Sequence, residues 1–97
     1  MSVAYYSEVP NVSREQVDRV SAYINERMGD GPPDGGIFHA DGPTDEGGWW
    51  AFEVYASEEQ FTRFHEDFLA PAFMNAGMGE VPYRRLEVAW DSTQPPG

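Results

Sequence analysis

The feature that most constrains this chain is a helix-start motif that occurs twice. Val12-Ser13-Arg14-Glu15-Gln16-Val17-Asp18-Arg19-Val20 and Ala56-Ser57-Glu58-Glu59-Gln60-Phe61-Thr62-Arg63-Phe64 both read apolar-Ser-x-Glu-Gln-apolar-x-Arg-apolar, at an offset of 44 residues. Each has the form of a capping box, in which the Ser hydroxyl and the Gln side chain satisfy orphan backbone donors reciprocally. After the first, Val17, Val20, Ser21, Ile24 and Met28 fall on one helical stripe, and Gly29 is a C-terminal stop. After the second, Phe61, Phe64, His65, Phe68, Leu69 and Ala72 share one arc, Pro71 kinks or ends the helix, and Gly77-Met78-Gly79 closes the region.

Strand signals flank both helices. Val3–Val9 is a β-prone run stopped by Pro10, and Gly36–Asp41 and Gly48–Tyr55 form a hairpin across the turn Gly42–Gly47. The last strand is expected over Tyr83–Trp90, with Leu86, Val88 and Trp90 on one face and Arg85, Glu87 and Ala89 on the other. The order is β-α-β-β-α-β in two similar halves. It predicts an α+β, ferredoxin-like fold: a four-stranded antiparallel sheet with two helices on one face. Residues 1–90 make a single domain, and 91–97 are expected to be a flexible tail.

Composition narrows the function. Seventeen acidic residues face six basic ones, all Arg, for a formal net charge of −11 in 97 residues. No basic face is left to neutralise phosphates, so neither nucleic acid nor an anionic membrane surface is an expected partner. The absence of Cys removes disulfides, thiolate metal sites and thiol nucleophiles together. The first residues carry no basic, apolar export signal, so cytoplasm is the expected location. There is no P-loop, HExxH or Ca²⁺ loop, and Gly29-Asp30-Gly31 follows a helix rather than a strand, so no cofactor and no metal are expected.

The remaining reactive inventory is His, Tyr, Trp and acids. His39, mid-strand, and His65, on the apolar helix arc, are the candidate catalytic residues, because an imidazole titrates near neutral pH and can remove or deliver a proton. A metal between them would want a third ligand, which two His do not supply. Which sheet face His39 occupies depends on hairpin register. A turn centred between Thr44 and Asp45 sets it opposite Trp50, with Phe52 and Val54. A shift of one residue sets it opposite Ala51, among Trp49, Glu53 and Tyr55. Glu53, desolvated, could act as a base, or could pair with Arg84 or Arg85. Trp49, Trp50 and Tyr55, with Tyr5, Tyr6 and Tyr83 and with Glu53 and Arg85 as charged contacts, could line a slot for a flat hydrophobic ligand, or serve as core and dimer contacts.

The stretch Glu53-Val54-Tyr55-Ala56-Ser57-Glu58-Glu59-Gln60-Phe61, with Gly36-Ile37-Phe38-His39 before it and Arg-Leu-Glu-Val near the end, resembles the dimeric α+β barrel superfamily. More closely, it resembles the antibiotic-biosynthesis-monooxygenase-like branch, which often reads Glu-x-Trp-x-Ser-x-Glu-Ala-Phe there. The resemblance implies a homodimer in which two sheets face each other. It also implies a small-molecule enzyme, a cofactor-independent monooxygenase or polyketide cyclase, with a small hydrophobic or aromatic substrate. Tyr55 stands where that branch often carries Trp. In heme-degrading relatives the iron-ligating His aligns near Met74, so the resemblance does not extend to heme chemistry. The alternative is a non-catalytic homodimeric barrel that binds a small hydrophobic ligand or serves a stress response.

Overall fold

A computed structural model of the chain describes residues 2–93. The elements are β1 (Val3–Val9), α1 (Arg14–Met28), β2 (Gly36–Pro43), β3 (Trp49–Tyr55), α2 (Glu58–Phe64), a π-helical turn (His65–Leu69), α3 (Ala70–Asn75) and β4 (Arg84–Glu87). The strands form one sheet in the order β2-β3-β1-β4, and every neighbouring pair is antiparallel. The helices lie against one face. This is the expected ferredoxin-like arrangement.

The two helix starts are built differently. At α1 the capping box is complete: Ser13 Oγ accepts from Gln16 N at 3.1 Å, and Gln16 Oε1 accepts from Ser13 N at 3.1 Å. At α2 only half forms. Ser57 Oγ accepts from Gln60 N at 3.2 Å, but the Gln60 amide extends toward Asp34, 3.4 Å away in the preceding loop. The Gln60 side chain stays at the cap through its other end, where Oε1 accepts from the Ser57 hydroxyl at 3.0 Å. Ser13→Ala is expected to cost about 1 kcal/mol, the usual worth of such a cap; a urea titration with an unchanged midpoint would contradict this.

The second helix does not run straight to Pro71. Proline at this position has no N–H to donate, and its ring crowds the carbonyl one turn back. The chain widens to a π turn over His65–Leu69, with Ala70 N bonding His65 O, and α3 then starts with Pro71 in its first turn. β4 is also shorter than expected, because its pairing ends at Val3↔Glu87, where β1 begins. Val88 and Trp90 therefore lie beyond the ladder. The start of the expected tail is tied down: Asp91 is buried and accepts from the Ser2 hydroxyl and from Thr93 N at 2.8 Å. Residues 94–97 lie outside the described residues.

Strand alternation sorts the side chains. Val3, Tyr5 and Ser7 of β1 and Tyr55, Glu53, Ala51 and Trp49 of β3 face the helices. Val3, Tyr5 and Tyr55 pack with Phe61, Leu69, Phe73 and Val81 into the core. Tyr6, Trp50, Phe52, Phe38 and Ala40 alternate to the other face, where no helix lies, and Phe38 is 54% exposed. Gly48 lets the hairpin loop approach β1, since a Cβ there would collide with the Val9 carbonyl oxygen. Among the described residues no helix is long and apolar enough to cross a membrane.

Candidate functional site

The apolar stripe of α1 does not close onto the sheet. None of its residues is buried. Instead Val17, Val20 and Ile24 form one wall of a cavity of about 430 Å³ between α1, the second helix and the sheet. Phe64, Leu69, Phe73 and Met78 line it from the helical side, and Ala51 and Tyr55 form part of its floor. The volume is within the range of small-molecule sites, roughly 300–1,000 Å³.

The polar end of this slot is assembled by hairpin register. Pro43 pairs with Trp49 across the loop Thr44–Gly48, and the ladder then sets His39 opposite Glu53. Of the two registers considered from sequence, the second gives the right face for His39. Neither gives its partner, because the hairpin turns about Glu46, later in the chain than either register places it. A bulge at Ile37, where the register shifts between Gly36 and Phe38, turns Phe38 to the open face.

Glu53 is 3% exposed, one of few buried polar residues. Its Oε1 lies 3.4 Å from His39 Nδ1, while His39 Nε2 is 2.5 Å from Asp41 Oδ2. Trp49 Nε1 donates to the other Asp41 oxygen at 3.0 Å. The phenol of Tyr83 faces Ser7 and Glu53 from the β4 side. The result is a polar run of Trp49, Asp41, His39, Glu53 and Tyr83 along the wall of an otherwise apolar cavity.

Electrostatics fix the protonation of its centre. The hydrogen-bonding Glu53 carboxylate, with Asp41 adding to it, raises His39 from 6.5 to about 9 against the opposing effect of burial. His39 is thus an imidazolium at neutral pH and has no free lone pair with which to take a proton. Held in this way, His39 is suited to balancing charge rather than to acting as the base expected of it from sequence, and the carboxylate oxygens of the site belong to Glu53 and Asp41. Burial, and then the Glu53 charge, push the phenols of Tyr55 and Tyr83 up, so both remain neutral donors.

This arrangement carries a sign for stability. A His raised in the folded state stabilises fully below its unfolded value near 6.5, and that contribution is lost as pH rises through about 9. The side chain is 54% exposed, so after solvent screening the contribution is about 1 kcal/mol or less. Between pH 7 and 10 the melting temperature of wild type is expected to fall more than that of His39→Gln; parallel curves would contradict the assignment.

The other sequence candidates lie elsewhere. Trp50 cannot share a wall with Trp49, because adjacent strand residues point to opposite faces, and it packs on the open side against Gly42. His65, in the π turn, stands edge-on to Tyr83 (5.7 Å, 87°) and beside Phe61, outside the cavity wall, so the two imidazoles do not converge. Arg85 pairs with Glu58 at 2.9 Å rather than with Glu53. Among the described residues no group of three His or acidic side chains is placed to hold a metal. Sequence reasoning does not single out Asp41, although its spacing of two from His39 on one strand puts both side chains on the same face.

No family model matches the chain, and no curated protein matches it. Solved structures do. Rv0793 from Mycobacterium tuberculosis superposes with a TM-score of 0.64 at 17% identity, covering 95% of this chain and 99% of that one. SnoaB, a cofactor-independent oxygenase from Streptomyces nogalater solved as a point mutant, gives 0.63 at 12% identity, covering 96% and 98%. A conserved protein from Methanosarcina mazei Go1 gives 0.63 at 12% identity, covering 89% and 91%. At these identities the likeness is one of fold: a four-stranded antiparallel sheet with its helices on one face.

Proposed function

We propose that this chain is a small-molecule enzyme of the monooxygenase or cyclase type, acting on an aromatic, polyketide-like phenol or anthrone without a metal or organic cofactor. One observation carries the reading: an apolar slot that ends on a buried carboxylate beside an imidazolium. The likeness of fold to a cofactor-independent oxygenase supports it.

In this reading Glu53 takes a proton from the acidic CH₂ of a bound hydroxyanthrone, and the His39 imidazolium offsets the charge that develops. The carbanion reduces O₂ and bonds to it, and the proton returns from Glu53 to give a hydroperoxide. The O–O bond then breaks as the second C–H hydrogen leaves, forming a ketone and water. The CH₂ carbon is oxidised to a carbonyl, and one O₂ supplies that oxygen and the oxygen of the water. Trp49 and Tyr55 hold the ring system in the slot.

The test is oxygen uptake with a hydroxyanthrone panel, after subtraction of the protein-free rate. The catalysed rate is expected to decline as pH rises through about 9, where His39 loses its proton; a rate that keeps climbing through pH 10 would contradict the role of the imidazolium. Binding of the panel without uptake would leave the slot as a ligand site on a non-catalytic barrel.

The helix-free face of the sheet supports a homodimer as its resting assembly. Phe38, Phe52 and Trp50 stand there, with Phe38 and Phe52 in edge contact at 6.1 Å, and a second sheet is a natural cover for such a patch. Sedimentation is expected to give a dimer for wild type and a monomer for Phe52→Glu. A monomeric wild type would overturn this.

A further inference from the structure

The charges around the slot are uneven. Its wall holds two carboxylates, Asp41 and Glu53, one imidazole, His39, and no arginine. Both ring nitrogens of His39 are already committed to those carboxylates. The polar end therefore carries one net negative charge when His39 is protonated and two when it is not. The arginines are engaged elsewhere: Arg19 with Glu15, Arg27 with Glu26, Arg63 with Glu59 and Arg85 with Glu58. Arg14 lies 6.0 Å from the Trp49 ring centroid, but it is exposed and paired with Asp18 at 3.1 Å. Arg84 lies on β4, on the strand position that alternates to the helix-free face.

We infer that the slot selects uncharged phenols and rejects their carboxylate-bearing counterparts, and that Asp41 is the residue that sets this discrimination. The inference rests on the proposed function for the kind of ring system, and on the charge of the wall for the selectivity. A ligand carboxylate entering here would be stripped of water with no free cation to meet it, against like charge at close range. A phenol O–H meets the same oxygens as a donor. His39 bridges both carboxylates, at 2.5 Å to Asp41 and 3.4 Å to Glu53, and offsets one of their two charges. Asp41, its side chain 34% exposed against 5% for that of Glu53, is the carboxylate that an entering ligand meets first. Asp41 also holds the Trp49 indole, so its removal affects position as well as charge, and only the ratio between charged and uncharged ligands isolates the charge.

The experiment measures binding of three ligands under nitrogen by quenching of tryptophan fluorescence: 1,8-dihydroxyanthrone, its ring-carboxylated analogue, and the methyl ester of that acid. The parent and the ester are expected to bind alike and the acid at least tenfold more weakly, with the gap between acid and ester narrowing severalfold in Asp41→Asn. An acid that binds wild type as tightly as its ester overturns the inference. Failure of all three to bind overturns it together with the proposed function. Oxygen uptake separates the two: the binding order without uptake removes only the proposed function, and equal uptake from acid and ester removes only the selectivity. A gap unchanged in Asp41→Asn removes Asp41 as its source.

Discussion

Glu53→Gln is expected to lower hydroxyanthrone oxidation by about 10²–10⁴-fold, the usual contribution of a positioned general base. Gln has the same shape and keeps an oxygen toward His39 Nδ1, so the slot and its ligand affinity should survive. What it loses is the capacity to accept a proton. It also removes the main cause of the raised His39 pKa, leaving Asp41 as the carboxylate partner of the ring. The variant should therefore shift the alkaline limb of any residual activity toward lower pH. A structural role alone would move affinity and stability and leave that limb in place. His39→Gln retains the base and is expected to lose less.

The second large effect is on stability. Phe61 is the hub of the core: its ring stacks on Tyr5 at 3.7 Å and 13°, and meets Tyr55 at 5.2 Å and Tyr83 at 5.4 Å edge-on. Phe61→Ala would leave a void among rigid rings on strands that cannot collapse into it, at a cost of about 3–5 kcal/mol. Against a typical total of about 5–15 kcal/mol for a domain, that leaves it near the edge of folding. The check is a urea unfolding curve. A loss below about 1 kcal/mol would mean that the aromatic cluster repacks freely. Phe61 reaches the site through Tyr55 and Tyr83, which both line the slot, so a surviving variant should also bind ligand less well.

The order of elements is legible in the sequence because its signals are local. A Ser with a Gln three residues on, a two-residue alternation and a Pro after a strand each act within a few residues, and the elements form where these signals stand. The site is less accessible because its geometry is a difference between distant positions. Lengthening the hairpin loop by a single residue moves His39 from one face to the other, and nothing in Thr44–Gly48 states its length. The Glu53–His39 pair, and with it the charged state of the imidazole, appears only once the ladder sets the two residues opposite each other. The same reason explains Gln60, whose Nε2 reaches Asp34 in the preceding loop while its Oε1 stays on the Ser57 hydroxyl, and β4, which ends where its partner strand begins. The α1 stripe shows a further limit. An apolar stripe facing a packed core and one facing a cavity have the same period, so Val17, Val20 and Ile24 read as core although they line the slot.

The most direct test of this chemistry is oxygen uptake by chelator-treated protein with 1,8-dihydroxyanthrone, comparing wild type with Glu53→Gln at pH 7.5. Wild type is expected to consume one O₂ for each anthrone converted to its quinone, and the variant to run at or near the protein-free background. Equal catalysed rates for the two proteins would contradict the role of Glu53 as the base.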